Sequence, residues 1–395
     1  MSDYNQLVDP DILKRSRKWK GYVEAKLGFK NHWYPVLFSN EVEEGQPVTA
    51  KVLGENLLIN RVDGEVHVIR DKCMHRNVKL SRKLECHTKG SITCWYHGFT
   101  YRWSDGKLTN VIAAPNSKIA DGTRGIKSFP SQEAKGLVFV FIGDSDFDVP
   151  PLSTDLPPNF LDEDKYIMGK RENVKSNWRQ GVENGFDTTH IYIHRDAKLI
   201  ANNNLLLPLG FAPPETPVKG WETHDDPSKP RGIVDSYEGQ HLVPAFHGTI
   251  EGEKVLEISD TSLEGKNLIP GQISIWMPAT LKVDPWPDPS LTQFEFYVPV
   301  DAENHMYIQT IGKTVHSEEE KRDFIQEYHS RWKVFGLEDF NSPDIWAREA
   351  AEEAYADDYG WIDESLFEAD TNILAFRELI SKHNRGIQRP EDLRP

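Results

Sequence analysis

Between residues 48 and 143, short runs rich in β-branched and aromatic residues alternate with polar positions. They predict strands at 48–52, 56–61, 66–70, 91–94, 100–102 and 136–143. Turn signals such as Val62-Asp63-Gly64 and Ser104-Asp105-Gly106 separate them. Ahead of this block, Ile12, Leu13, Trp19, Tyr22, Val23 and Leu27 recur at helical spacing, which predicts one or two amphipathic helices before Trp33-Tyr34-Pro35. Residues 144–158 combine acidic side chains with four prolines and mark a boundary. Beyond it the pattern predicts a helix at 176–194, then a Pro- and Gly-rich stretch at 205–248 without clear periodicity. Strands follow at 272–277, 280–283, 292–300 and 305–311, and helices at 317–335, 344–355 and 364–384. The expected fold class is α+β: an N-terminal helical segment (1–31), a small all-β domain (32–150), and a domain in which an antiparallel sheet carries helices (151–395).

Composition narrows the function classes. A net charge of −16 over 395 residues disfavours a nucleic-acid surface, which needs clustered Lys and Arg. No run of about 18 apolar residues suggests a membrane span, and the N-terminus lacks a hydrophobic export segment, so the expected compartment is the cytoplasm. Three cysteines are too few for a disulfide framework and stand beside histidines, a pattern that points to metal.

Cys73-Met74-His75 and Cys94-Trp95-Tyr96-His97, with 18 residues between them, supply two thiolates and two imidazoles in the spacing of a Rieske iron–sulfur site. In such a site two cysteines hold one iron and two histidines the other. Both pairs fall in predicted turns of the all-β domain, where loops on a rigid sheet carry function. A structural zinc module would use the same four residue types, and only the colour of a cluster separates the two. Residues 70–83 carry six basic side chains (Arg70, Lys72, Arg76, Lys79, Arg82, Lys83) against Asp71, a local balance of +5. That rim suits an acidic redox partner or is a solvated loop face. Cys86-His87 lacks the spacer of a ligand pair and reads as an ordinary thiol and imidazole. His224, His241 and His247 have no partners at metal spacing.

A second constellation lies at 183–194. His190 and His194 are four apart, so on a helix they share one face, and Asp187 falls on the same face. Two histidines and one carboxylate make the facial triad of a non-heme Fe(II) oxygenase. Asp187 is the nearest carboxylate, but one so close also suits hydrogen-bonded support of an imidazole. Asp344 follows Pro343 at a predicted helix start, where it is either a ligand or a complement to the helix dipole. The residues alone leave these two aspartates at parity.

Taken in order, Cys73-x-His75, Cys94-x2-His97, Asp187-x2-His190-x3-His194 and Asp344 followed by Glu349 resemble the catalytic α subunits of the Rieske non-heme iron ring-hydroxylating oxygenases over nearly the whole chain. Phrases such as KLGFKNHWYPVLFS, VLGENLLINR, ITCWYH, LPLGFAP and DIWAREA are similar to the subgroup acting on flat tricyclic aromatics. The resemblance implies a Rieske [2Fe-2S] domain joined to a helix-grip catalytic domain in a homotrimer. It also implies a ferredoxin partner, a separate NAD(P)H-dependent reductase, and angular dihydroxylation of carbazole-like rings with O2. On that pattern His190, His194 and Asp344 hold Fe2+. Asp187 becomes the bridge from a neighbouring subunit's cluster, entered from His97. The implied pocket lining is Gly185, Ile191, Ile273, Trp286, Gln293 and Phe340, where Gly185 lets a backbone carbonyl approach the substrate. A Rieske-type O-demethylase or steroid hydroxylase shares these ligands and differs only in pocket shape.

Overall fold

The computed structural model describes residues 8–187, 189–194, 197–202, 221–235, 247–250, 253–257, 271–367 and 370–394. Most of the 205–248 stretch, with His241, lies outside them.

The all-β part consists of three antiparallel sheets. His32–Phe38 pairs with Leu137–Ile142, which pairs with Ser131–Ala134; Val48–Val52, Glu55–Val62, Glu65–Arg70 and Ser128–Phe129 make a second sheet; Ser91–Thr93, Phe99–Arg102 and Leu108–Val111 make the third. The two-residue hairpin at Asp63-Gly64 places both residues at positive φ (54° and 84°), the conformation that a twisted hairpin demands. All six strands predicted here form, to within one or two residues. Four more form that the pattern did not predict. His32–Phe38 is interrupted by Pro35 and a register shift between Pro35 and Leu37, which disguises a buried strand. The other three are two to four residues long and offer little alternation to read.

The C-terminal body is built on a seven-stranded antiparallel sheet in the order Lys165–Val174, His305–Thr314, Leu291–Pro299, Thr280–Asp284, Gln272–Trp276, Gly232–Asp235, Trp221–His224. Lys165–Val174 escaped prediction because its residues are mostly polar and half-exposed, as befits an edge. Leu291–Pro299 is buried along its entire length and divides its residues among three cores, Leu291 joining Trp332 and Phe340 at one end. Phe294, Phe296 and Val298 pack with Phe139, Phe160 and other residues toward the Rieske side. Gln293, Glu295 and Tyr297 face the opposite way, and Tyr297 packs among residues of the helix Trp178–Phe186.

Three helical expectations need correction, and in the simplest the helix expected at 364–384 begins only at Thr371, residues 364–367 being non-helical. The helix predicted at 176–194 is broken. Trp178–Phe186 is α-helical, Asp187 turns out of it with ψ 113°, and His190–His194 forms a separate 3₁₀ turn. Asp187 Oδ1 accepts from the Thr189 amide at 2.7 Å, so a short polar side chain competes with the helix for backbone donors exactly where β-branched Thr weakens it. Similarly, the helix expected at 317–335 is α-helical only over Glu318–Glu327. It widens to i→i+5 hydrogen bonding across Tyr328–Phe340, then hands over at Asn341 to Ser342–Tyr355. Such wide turns are frequent at functional sites.

The N-terminal helices Pro10–Arg15 and Lys20–Glu24 pack against the C-terminal body rather than the Rieske domain. Tyr22 meets Trp178, Trp361 and Phe376 edge-on at 5.5–6.5 Å. Phe376 belongs to the C-terminal helix Thr371–His383.

Candidate metal centres

Two loops of the Rieske domain present the first ligand set. Each is closed by backbone bonds around its cysteine: Cys73 N to Val78 O and Asn77 N to Cys73 O in one, Cys94 N to Phe99 O and Gly98 N to Cys94 O in the other. Asn77 and Gly98 take positive φ at equivalent places, and a Cβ on Gly98 would press on Ile112 at 2.7 Å. Trp95 Nε1 donates to Lys79 O at 3.0 Å and pins the loops together. Cys73 and Cys94 are buried, while His75 Nδ1 and His97 Nδ1 approach to 3.1 Å near the surface. Two sulfurs inside and two imidazole nitrogens at the rim match a cluster held at its inner iron by cysteine and at its outer iron by histidine. Tyr101 hydroxyl accepts from the Met74 amide at 3.2 Å and lies 3.1 Å from Cys73 Sγ, to which it would donate when that sulfur is a cluster-bound thiolate. Around this tip Arg76, Lys79, Arg82 and Lys83 are exposed, whereas Arg70 is consumed by buried Glu55. Cys86 is exposed and outside the ligand set.

The second set converges in the C-terminal body. One ligand atom from each of His190, His194 and Asp344 lies within 4.8 Å of the others. Asp344 Oδ1 sits 3.5 Å from His190 Nε2 and 3.4 Å from His194 Nε2. His190 Nδ1 donates to the Asp187 carbonyl, which fixes the tautomer and turns Nε2 toward the carboxylate. His194 stacks on Phe340 at 3.9 Å and 10°. Both of its ring nitrogens and Asp344 Oδ1 are buried without a hydrogen-bond partner. Buried polar atoms so arranged are costly unless a cation completes them, and N,N,O donors suit a ferrous ion. Burial would push the Asp344 carboxyl up, but His194, His190 and Arg348 hold it well below the usual carboxylate range.

The break at Asp187 separates roles that a continuous helix would have merged. Its carboxylate bonds Thr189, through the amide and through Oγ1 at 2.6 Å, while its carbonyl serves His190. Glu349 caps the edge-strand exit by accepting from Lys175 N at 3.1 Å. Arg348 was not singled out from sequence, although its i+4 spacing from Asp344 is a readable pairing signal. It is fully buried, lies 4.0 Å from Asp344 Oδ2, donates to Asn184 Oδ1 at 2.6 Å, and covers the faces of Tyr297 and Tyr307 at 5.1 and 4.3 Å.

The expected pocket residues fall into three groups. Trp286 leans on Phe340 at 5.1 Å, so both join the aromatic wall beside His194. Ile273 pairs with Val283, and Val283 with Gln293, which sets Ile273 and Gln293 in one row of the sheet. Gly185 is buried on the helix Trp178–Phe186, and a Cβ there would collide with the Tyr297 hydroxyl. Packing by itself therefore demands glycine at 185. The side chain of Ile191 lies outside the described residues. An open polar cleft of about 1160 Å³, lined by Glu55, Arg70 and Lys127 of the Rieske domain together with Lys30 and the C-terminal Gln388 and Asp392, shares no residue with the triad.

Residues 32–130 match the model of the Rieske [2Fe-2S] domain, and residues 141–388 match that of the homotrimeric ring hydroxylases. The chain belongs to the homotrimeric ring hydroxylases. It is 52% identical, over 96% of its length and 97% of the relative's, to the terminal oxygenase component of carbazole 1,9a-dioxygenase from Metapseudomonas resinovorans. Among solved structures, a carbazole-bound variant oxygenase in complex with ferredoxin superposes with TM-score 0.92 at 50% identity, covering 98% of each chain. The terminal oxygenase of carbazole 1,9a-dioxygenase from a Novosphingobium species gives TM-score 0.90 at 46% identity, over 96% of this chain and all of that one. As a ring hydroxylase the chain is an oxidoreductase with a Rieske cluster and a non-heme iron that uses O2. Among the described residues, no helix is long and apolar enough to cross a membrane.

Proposed function

We propose that this chain is the terminal oxygenase of a multicomponent dioxygenase acting on carbazole and related flat tricyclic aromatics, by angular dihydroxylation, in the cytoplasm. The observation that carries the reading is the buried His190, His194 and Asp344 triad, set in a chain that is similar from end to end to carbazole oxygenases. His190, His194 and Asp344 are read as the Fe2+ ligands, and Cys73, His75, Cys94 and His97 as the cluster ligands. When bound, the cluster supplies single electrons and the iron supplies O2 chemistry.

The chain's own residues do the rest. The Asp187 carbonyl keeps His190 in the tautomer that offers Nε2. Arg348 faces Asp344 Oδ2 while Oδ1 faces the imidazoles, so Oδ1 is the carboxylate oxygen that would help His190 and His194 hold the iron. Phe340 and Trp286 shield His194 from water and give a flat ring an aromatic wall. Asp187, at the junction between the helix and the His190 turn, is read as the bridge to a neighbouring subunit's His97. The exposed Arg76, Lys79, Arg82 and Lys83 are read as the surface that receives a ferredoxin. A separate NAD(P)H-dependent reductase feeds that ferredoxin.

The test uses purified chain, ferredoxin, reductase, NADH, carbazole and ¹⁸O2. A ring-opened aminobiphenyl diol carrying both labelled atoms is expected. No such product, with another aromatic taking up both atoms, removes carbazole as the substrate. Uptake of one atom favours the O-demethylase or hydroxylase reading.

A further inference from the structure

We propose that Glu295 is a positioning residue of the oxygenation, because its Oε1 accepts from both Gln293 and Asn341 and so ties the pocket side of the sheet to the head of the Asp344 helix. The inference rests on the proposed function in taking His190, His194 and Asp344 as the iron site.

The two bonds are 2.6 Å from Gln293 Nε2 and 2.9 Å from Asn341 Nδ2, and Tyr297 hydroxyl donates to Oε2 at 2.6 Å. Glu295 stands in the middle of Leu291–Pro299, paired to Leu281 on one side and Gln309 on the other, so its backbone is held from both sides. It is 4% exposed. A buried carboxyl is a poor core filler, since burial pushes it toward the neutral form and the nearby Arg348 offsets this only in part. What it supplies instead is connection.

Asn341 occupies the joint between the wide turn Tyr328–Phe340 and the helix Ser342–Tyr355. Its neighbour Phe340 stacks on His194, and Asp344 follows three residues later. The same Nδ2 lies 3.0 Å from Gln309 Oε1 and 3.2 Å from the Tyr307 hydroxyl, so its two hydrogens are shared among three sheet acceptors and side chains fix the joint to the sheet. Gln293 shares its row with Ile273, one of the expected pocket residues. Its amide nitrogen is committed to Glu295, which sets the orientation of the amide. One carboxylate therefore determines both the pocket-side amide and the segment that bears an iron ligand. Small displacements of such groups reduce rate steeply.

The test compares iron-loaded wild type with Glu295→Met, Asn341→Ser and the double variant. Steady-state rates are measured with whichever aromatic the wild type oxygenates, alongside H2O2 released per O2 consumed. Glu295→Met keeps a side chain of similar length but removes the acceptor oxygens, and it is expected to retain both iron populations, lower kcat/KM about tenfold, equivalent to about 1.4 kcal/mol, and raise peroxide release. Glu295→Gln can still present one oxygen to Gln293 and Asn341 and is expected to stay closer to wild type. Because both residues act through one joint, the double variant is expected to be no worse than the poorer single one. Wild-type kcat/KM and coupling in Glu295→Met overturn the proposal, and so do strictly additive losses. If Glu295→Met does not fold, Asn341→Ser carries the test alone, with the same fall expected and unchanged coupling overturning it. A wild type that oxygenates some other aromatic defeats the carbazole reading while leaving this test intact.

Discussion

Replacing Asp344 by alanine separates ligation from support. The substitution removes a carboxylate whose Oδ1 lies 3.4–3.5 Å from two imidazole nitrogens and whose Oδ2 faces buried Arg348. Losing a group that merely orients a ligand costs roughly 10–100-fold in metal affinity. Losing a ligand from a three-residue set is expected to cost more than about 100-fold, so purified Asp344→Ala should carry almost no mononuclear iron. Breaking a buried charge pair destabilises by about 3–5 kcal/mol. Glu295 still faces Arg348 in the variant, which places the expected loss near the lower end, about 3 kcal/mol. The Rieske loops share no residue with this site, and the cluster signal should persist at full intensity. Asp187→Asn is the comparison. Its side chain bonds Thr189 while its carbonyl serves His190, so the variant keeps the imidazole orientation. Iron affinity should fall by no more than about tenfold, while electron delivery to the iron stalls. Metal analysis, electron paramagnetic resonance of the reduced cluster and single-turnover kinetics read these quantities. Full mononuclear iron in Asp344→Ala, with iron lost from Asp187→Asn, would reverse the two roles.

Tyr101→Phe deletes the hydroxyl that donates to Cys73 Sγ and should lower the cluster potential by about 60 mV, the shift for a tenfold loss of differential stabilisation in a one-electron couple; redox titration checks it. Gly185→Ala drives a methyl into the Tyr297 hydroxyl and should cost about 1–3 kcal/mol in urea unfolding, partly restored by Tyr297→Phe; absence of rescue would return Gly185 to a purely substrate-facing role. Arg377→Met breaks a buried fork in which Nε and Nη2 bond the two oxygens of Glu183 at 2.7 and 2.6 Å, and about 3–5 kcal/mol of stability should go with it, read from the denaturation midpoint. Burial would raise the Asp155 carboxyl, but His32 and Arg385 hold it below its ordinary 3.8, so the stability it contributes is complete above that pH and drains as pH falls through the lower folded value. Wild type should consequently lose more stability than Asp155→Asn between pH 5 and 2.5; equal losses would remove Asp155 from the acid response.

Residues whose chemistry is local were legible in the chain. The Cys-x-His and Cys-x2-His pairs announce themselves because both side chains of a pair come from one turn, and His190 with His194 do so because four residues span one helical turn. Asp344 was ambiguous for the opposite reason. It reaches the histidines from a helix 150 residues beyond His194, and no spacing rule covers that distance. The break at Asp187 hid as well, since an apolar periodicity continues across it while the decisive event is one side chain capturing the Thr189 amide. Even so, the histidines converge: a 3₁₀ turn still brings the His190 and His194 rings to 5.2 Å.

The polar face of Leu291–Pro299 offers a more general lesson. A fully buried strand that alternates Phe294, Phe296 and Val298 with Gln293, Glu295 and Tyr297 looks like an amphipathic surface strand, and the pattern was read only for its period. Its burial on both sides changes the meaning of that alternation. A polar row with no access to water has to find its partners inside the protein: Gln293 and Tyr297 donate to Glu295, and Glu295 accepts from Asn341, which stands three residues before Asp344 and lies within reach of Tyr307 and Gln309 on the neighbouring strand. Hence the alternation that marks a solvent face in an edge strand marks, in a central one, the wall against which a buried site is assembled.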